Sequence, residues 1–229
     1  MTFDEISVTQ PFSAAWSERG VFSFRAENSA AVRRNYSLAS NPALERQLRF
    51  NIRIATPPPG HVCLAGAGSS YIHRLKAGDA VTAIGPFGTF HIREGSAEMV
   101  YVGGGAGMAP LRSHIAHLFE TLNSRRRVSF WYGARSRQEV FYQEYFEDLA
   151  RQHSNFSFHL ALSEPQPGDE WTGATGFIHE VLRKQYLDRL ADPGRVEYYL
   201  CGPPAMVSAT AEMLGRVGVP GSQITFDEF

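Results

Sequence analysis

The sequence predicts two regions of different architecture: a β-rich part over residues 1–95, followed over 96–229 by a doubly wound parallel α/β domain. Three observations carry that reading. Short segments before residue 93 alternate apolar and polar side chains, the period of a half-buried strand. From about residue 97, short apolar runs alternate with stretches of helical period, the pattern of a parallel sheet with helices on both faces. Between them, residues 93–97 are charged and carry no apolar period, which places the boundary there.

In the first region, residues 34–37 (RNYS), 48–54 (LRFNIRI) and 80–84 (AVTAI) read as strands. Residues 57–60 (PPPG) stop the second of these, and 85–88 (GPFG) turn the chain after the third. Between them, Gly66, Gly68, Ser69 and Ser70 precede an apolar helical turn made by Tyr71, Ile72 and Leu75. In the second region the expected alternation is strand 99–102, helix 110–122, strand 128–132, helix 138–152, strand 156–162, helix 176–190, strand 196–201, helix 204–216 and strand 223–227. Arg125, Arg126 and Arg127 fall where a solvated turn would join a helix to the next strand.

A chain of 229 residues with a formal net charge of −1 buries a sizeable core and has no basic excess to suggest nucleic acid as a partner. The two cysteines, Cys63 and Cys201, lack a C-x-x-C partner, so a structural zinc or a cysteine-ligated cluster is not expected from this chain alone. A reducing, cytoplasmic setting is the simplest reading. No basic flank with an apolar core opens the sequence, and no run of about 20 apolar residues would span a bilayer.

The segment 99–112 (MVYVGGGAGMAPLR) carries the most chemistry. An apolar strand runs into Gly103, Gly104, Gly105, Ala106 and Gly107, and Met108 and Pro110 then open a helix. Strand, glycine loop and helix start together let backbone N–H groups approach a pyrophosphate. Pro110 stands where one register of G-x-G-x-x-G would need its third glycine, and no Gly-Lys-Ser/Thr follows, so this is neither dinucleotide fingerprint nor P-loop. Tight packing alone would account for such a turn. Arg34 and Tyr36 share one face of their strand, and Ser37 lies on the other. A guanidinium can clamp a phosphate and a tyrosine ring can lie on a flat ligand; an ordinary amphipathic surface strand is the competing reading. Ser69 and Ser70 could serve a phosphate or simply cap a helix. His114 and His117 stand three apart on one helical face without further ligands, which reads as surface or capping histidines. No G-x-S-x-G elbow is present.

Taken in order, R-x-Y-S (34–37), the Gly/Ser helix start, GPFG (85–88), GGGAGMAP (103–110), YGAR (132–135), CGPP (201–204) and an aromatic C-terminus resemble the motif set of the ferredoxin–NADP⁺ reductase-like flavoenzymes. Residues 53–59 (RIATPPP), 102–110, 131–136 (WYGARS) and 201–204 are most similar to the FAD- and NADH-binding branch found in sodium-translocating NADH:quinone oxidoreductases, and the likeness runs from about Arg34 to Phe229. The resemblance implies a partial or complete antiparallel β-barrel that binds FAD, then an α/β domain that binds NADH. It assigns Arg34 to the FAD pyrophosphate, and Tyr36 and Ser37 to the flavin ring. Arg53, Ile54, Ala55 and Thr56 would line the same site, with Gly68, Ser69 and Ser70 completing the pyrophosphate cradle. Gly103, Gly104, Gly105, Ala106, Gly107, Met108 and Pro110 would hold the NADH pyrophosphate side. Gly133, Arg135 and Ser136 would read the adenosine ribose, with Arg135 accompanied by Glu139. Cys201, Gly202, Pro203 and Pro204 would flank the nicotinamide, and Phe229 would shield the flavin. Ser37, Cys201 and Phe229 are thereby the expected catalytic residues. Cys201 is otherwise a buried strand-end thiol and Phe229 a frayed terminus. Asp227 and Glu228 stand beside Phe229, where they could hydrogen-bond near the reacting centre or simply be acidic surface residues.

The implied reaction takes hydride from NADH to FAD and passes single electrons to an iron–sulfur domain or protein. Membrane-complex subunits would be partners at the cytoplasmic face. Only 33 residues precede Arg34, and residues 3–30 resemble a branch-specific insertion rather than opening barrel strands, so an incomplete barrel is expected. The ferredoxin-like domain and membrane anchor of that branch have no counterpart in this sequence. The reductase component of an oxygenase shares every motif. From another class, a non-catalytic nucleotide-binding or assembly fragment would bind nucleotide without reducing flavin.

Overall fold

A computed structural model of the chain describes residues 12–18, 20–57 and 63–228. The chain divides into two compact units, one of residues 1–36 with 52–87 and the other of 37–51 with 88–229.

The second unit is built on six parallel strands: β1 (Met99–Gly104), β2 (Val128–Ala134), β3 (Phe156–Leu162), β4 (Ala174–Thr175), β5 (Glu197–Gly202) and β6 (Ile224–Glu228). Their order in the sheet is β4-β3-β2-β1-β5-β6. β1 is buried at every position, as a central strand covered on both faces must be. Successive residues point to opposite faces, so the sheet sorts its apolar residues into two cores. On one face Met99, Tyr101, Phe130 and Tyr132 meet Met108, Leu111 and Ile115 of α3 (Met108–Ala116) and Phe146 and Leu149 of α4 (Gln143–Gln152). On the other, Val100, Val102, Trp131 and Leu200 meet Ile178 and Leu182 of α5 (Ile178–Gln185) and Val207 and Leu214 of α6 (Pro204–Arg216). Each fully buried large side chain contributes about 1.5–3 kcal/mol, so these two layers hold the unit together.

Several expectations need correction here. The helix expected over 138–152 begins only at Gln143, because Tyr142 takes a left-handed conformation (φ 54°) after a short turn at Arg137–Glu139. The helix expected over 176–190 ends at Gln185, and the two-residue β4 was not anticipated. Arg126 is not solvated. It donates to Glu197 at 2.6 Å and to the carbonyls of Ala97 (2.7 Å) and Arg93 (2.9 Å), and the side chains of the ion pair are only 10% and 8% exposed. Nor is His114 at the surface: its ring stacks on Phe90, and burial pushes its pKa down to about 4.

Residues 37–51 join this unit through polar contacts to α3. Arg112, buried, donates to Glu45 at 2.9 Å and to the Ala39 carbonyl, and lies over the rings of Tyr142 and Tyr145. Ser113 donates to the Ser40 carbonyl at 2.8 Å.

In the first unit the described residues include α1 (Phe12–Glu18) and α2 (Ala67–Ile72). Its small apolar cluster joins Val21, Ala26 and Ala65 with Trp16, Phe22, Phe24 and Ile54 around them. The strands expected at 34–37, 48–54 and 80–84 do not form: among the described residues no strand precedes Met99, and Leu38 and Phe50, of the second unit, make only an isolated bridge. An alternating segment becomes a strand only when a neighbour takes up its backbone N–H and C=O groups. Without a ladder, Val81, Ile84 and Phe87 remain exposed.

Candidate functional site

The sheet order places a topological switch point between β1 and β5, from which the chain leaves in opposite directions. Open parallel sheets bind ligands in the crevice at the carboxyl ends of such strands. At this crevice β1 runs through Gly103 and Gly104 into a short turn, Gly105–Gly107, that opens α3. Gly107 passes so close to β5 that a Cβ would sit 2.0 Å from the Cys201 carbonyl oxygen. Gly202 (φ 153°) would place a Cβ 2.8 Å from the Gly104 carbonyl. Glycine is therefore required at both positions for the two strand ends to meet. Gly105, by contrast, faces open space at φ 53°. Among the described residues no side chain caps the first turn of α3, and the Met108 N–H turns back to the Gly105 carbonyl; a glycine loop running into a helix start of this kind suits a pyrophosphate. Met108 and Pro110 are buried in that turn and anchor it. Pro203 and Pro204 open α6 on the other side of the crevice. Tyr132 fixes the loop by donating to the Gly105 carbonyl at 3.2 Å. Sequence reasoning placed Tyr132 in a motif without giving it this task.

Around the end of β2, Gly133 packs against Ile178, where a Cβ would stand 3.0 Å away, and Ser136 is buried. The Arg135 guanidinium is held by Glu139, which it meets through Nε at 3.1 Å and also through Nη2. That pairing raises the arginine pKa.

Ser37, Cys201 and Asp227 come together within the second unit. The Ser37 hydroxyl donates to Asp227 Oδ2 at 3.3 Å, and Asp227 is the register partner of Cys201 across β5 and β6. Burial, reinforced by the Asp227 charge, pushes the Cys201 thiol far above its ordinary value, so it stays protonated. A neutral thiol can pack against a ring but is no nucleophile. The Ser37–Asp227 contact was not foreseen, since 190 residues separate the two. Phe229 lies outside the described residues.

In the first unit, Arg34 and Tyr36 lie over the start of α2. A Cβ on Gly68 would stand 2.7 Å from Arg34 Cγ and 3.2 Å from the Tyr36 hydroxyl. Ser69 Oγ accepts from the Ala55 N–H at 3.0 Å and donates to the Gly66 carbonyl at 3.2 Å, tying residues 53–56 to the helix start. Ser70 is wholly buried and its hydroxyl has no partner among the described residues, an unmatched polar atom at this spot. Arg53, Ala55 and Thr56 are exposed and Ile54 is half-buried in the apolar cluster. Arg34, Tyr36, Ala55, Gly68, Ser69 and Ser70 are thus gathered about one helix start, whereas no contact ties Arg53 or Thr56 to it among the described residues; a glycine-dependent cradle with an unmatched hydroxyl fits a phosphate-bearing group.

A family model described as the oxidoreductase NAD-binding domain matches residues 101–212. The F subunit of the Na⁺-translocating NADH-quinone reductase of Klebsiella pneumoniae is 47% identical over 230 residues, covering 100% of this chain and 56% of the relative. Its counterpart in Pseudomonas aeruginosa is 45% identical over 227 residues, covering 99% of this chain and 56% of that protein. The chain therefore spans little more than half the length of these relatives. Among solved structures, an Amycolatopsis cytochrome P450 reductase aligns at TM-score 0.70 and 28% identity, over 86% of this chain and 56% of its own. The cytochrome b5 reductase domain of Ulva prolifera nitrate reductase aligns at 0.72 and 22%, over 90% and 82%. A ferredoxin-NADP⁺ reductase from Plasmodium falciparum aligns at 0.65 and 20%, over 85% and 75%. The last two likenesses concern the fold.

Proposed function

We propose that the chain is a ferredoxin–NADP⁺ reductase-like flavoprotein, an FAD-dependent module that oxidises NADH and hands the electrons on singly to an iron–sulfur partner. The observation that carries the reading is the crevice between β1 and β5, where Gly107 and Gly202 let two strand ends close around an uncapped helix start. Bound FAD would supply the chemistry, accepting two electrons as hydride from NADH and releasing them one at a time.

The chain's own residues bind and orient. Gly103 to Gly107 bring the backbone close to the nucleotide pyrophosphate, Met108 and Pro110 anchor that loop from the helix, and Tyr132 keeps it from shifting. Cys201, neutral and wholly buried in the core on the α3 side of the sheet, backs the crevice from behind without placing a charge beside the nicotinamide. Asp227 orients the Ser37 hydroxyl, which is poised to hydrogen-bond a reacting ring. Arg34, Tyr36 and Gly68 to Ser70 hold FAD, with residues 53–56 beside them, and Phe229 covers the flavin. On this reading residues 1–95 supply the flavin-binding barrel and 96–229 the NADH domain. Support for the barrel is the motif resemblance of residues 34–88, since the described residues there form no ladder.

The partners follow from the bacterial relatives, whose name places them in a sodium-translocating NADH-quinone reductase. An attachment at the cytoplasmic face of a membrane complex accords with that, and no helix among the described residues is long and apolar enough to cross a membrane. Identity of 45–47% to these relatives, against 28% to the P450 reductase, favours this assignment over an oxygenase reductase.

The test is to load the chain with FAD, remove free flavin and add NADH without oxygen while following the visible spectrum. Bleaching of bound flavin, faster with NADH than with NADPH, is expected; flavin retained but unbleached would overturn the reading. The pairing of Arg135 with Glu139 explains the preference, because a guanidinium already neutralised by a carboxylate is a poor partner for a 2′-phosphate. Glu139→Gln should therefore improve the NADPH rate relative to NADH by roughly tenfold, the equivalent of about 1.4 kcal/mol. An unchanged ratio would remove Arg135 from nucleotide discrimination.

A further inference from the structure

The sheet of the second unit has a gap in its covering, at the end of the strands opposite the glycine loop. Parallel strands normally present aliphatic side chains to the helix that covers them. On the α5 face, two successive rows of β2 and β3 instead pair Ser129 with Ser157 and Trp131 with His159. α5 covers the later part of these strands, where Ile178 and Leu182 pack with Ala161. It stops at Gln185, and Tyr186 turns the chain away (φ −129°, ψ −61°). A cavity of about 610 Å³ remains, lined by Arg127, Ser129, Trp131, Ser157, His159, Gln185, Tyr186 and Arg189.

Its lining has a consistent chemistry. The His159 ring lies on the Trp131 indole, 3.9 Å between centroids and 8° from parallel, so the floor is a flat aromatic stack. The Ser157 hydroxyl meets His159 Nε2 at 3.1 Å, and the Ser129 hydroxyl accepts from Trp131 Nε1 at 3.0 Å, which fixes both rings. Two arginines stand at the mouth. Arg127 is largely exposed and its contact to Glu98 is long, 3.6 Å. Arg189 is exposed and has no carboxylate within 4 Å among the described residues. None of the eight lining residues is acidic.

We propose that this cavity is a binding site for an aromatic carboxylate of one or two rings, the ring lying on the His159–Trp131 stack and the carboxylate held by Arg127 and Arg189. The volume is within the range that encloses small ligands, an exposed guanidinium binds carboxylate bidentately, and a ring face pays for its desolvation on another ring. The site is separate from the nucleotide crevice, since its strand residues come from the first half of β2 and β3, whereas the crevice lies at the carboxyl ends of β1 and β5.

The experiment titrates the protein with benzoate and follows backbone amide signals by NMR. Saturable shifts at Ser129, Ser157, His159 and Tyr186, with Gly105 to Met108 unmoved, are expected. The double variant Arg127→Gln, Arg189→Gln should weaken benzoate at least tenfold; both side chains are exposed, so the fold should survive. Benzamide, lacking the charge, and cyclohexanecarboxylate, lacking the flat ring, should each bind at least fivefold more weakly. Absence of saturable shifts at these residues, or an affinity unaltered by the double variant, would overturn the site. Equal binding of cyclohexanecarboxylate would overturn the stacking assignment.

Discussion

The two units answer the same kind of pattern in opposite ways. Residues 128–134 and residues 80–84 both carry apolar side chains at strand spacing. The first became β2, buried from Val128 to Tyr132 and paired on both edges; the second stands extended with Val81 58% and Ile84 70% exposed. What separates them is the supply of partners. β2 finds β1 and β3 through helical connections that return the chain to the same sheet, so each strand satisfies the backbone groups of the next. The described residues around 80–84 offer no such neighbour. An alternating segment states which face wants burial, and the rest of the chain decides whether burial is available.

The largest expected effect lies where the second unit has committed charge to its interior. Glu197 accepts from Arg126 and, at 2.8 Å, from the Tyr199 hydroxyl. Glu197→Ala leaves a buried guanidinium without its counter-charge and should cost about 3–5 kcal/mol. Denaturant unfolding followed by the near-ultraviolet signal of the Tyr101–Tyr199 stack would register it; a loss below about 1 kcal/mol would mean that the pair is hydrated. Next comes Gly107→Ala. The added methyl group meets the Cys201 carbonyl, so β1 and β5 must part at the crevice. A stability loss of about 1–3 kcal/mol is expected, and NADH binding measured calorimetrically should fall by more than tenfold. Binding at the native level would show that the crevice closes by some other contact.

How far the sequence foretold this contrast depends on the range over which each signal acts. The strands 99–104, 128–134, 156–162 and 197–202 were legible because a buried parallel strand is apolar by local necessity. The glycine loop was legible because its conformation excludes side chains. Neither the buried Arg126 nor the Ser37–Asp227 hydrogen bond could be read, because each pairs residues far apart, and the pairing exists only once the sheet has set their distance. The break at Tyr142 eluded the helical pattern for a related reason: Tyr142 and Tyr145 flank the Arg112 guanidinium, a contact with another helix. In the first unit, gathering Arg34, Tyr36 and Gly68 about one helix start needed the resemblance, since no local period marks it.

A smaller effect comes from Glu45, in the segment that the second unit takes from between the two stretches of the first. Burial alone would raise its carboxyl. The Asn41 N–H and the Arg112 guanidinium, with Arg49 alongside, outweigh that and hold the pKa below its ordinary value of 4.5. A depressed carboxylate stabilises the fold at pH above 4.5, and the contribution is lost as the pH falls through the folded-state value. Glu45→Gln should therefore cost about 1–3 kcal/mol near neutrality, with the gap to the native protein narrowing below pH 4.5. A gap that stays constant down to pH 3 would assign the loss to packing instead of charge.

The smallest expected effect tests the other side of the comparison. Ile84 is 70% exposed in the first unit, so Ile84→Ser removes little buried surface and should change stability by less than about 0.5 kcal/mol. The same exchange at Val102, in the middle of β1 and wholly buried, should cost several times more, since it deletes buried methyl groups and places a hydroxyl in an apolar layer. The pair of variants measures how much each unit gains from the same kind of residue. Should Ile84→Ser prove as damaging as its counterpart, residues 80–84 must be covered in solution, and the segment would have found the strand neighbour that its alternation calls for.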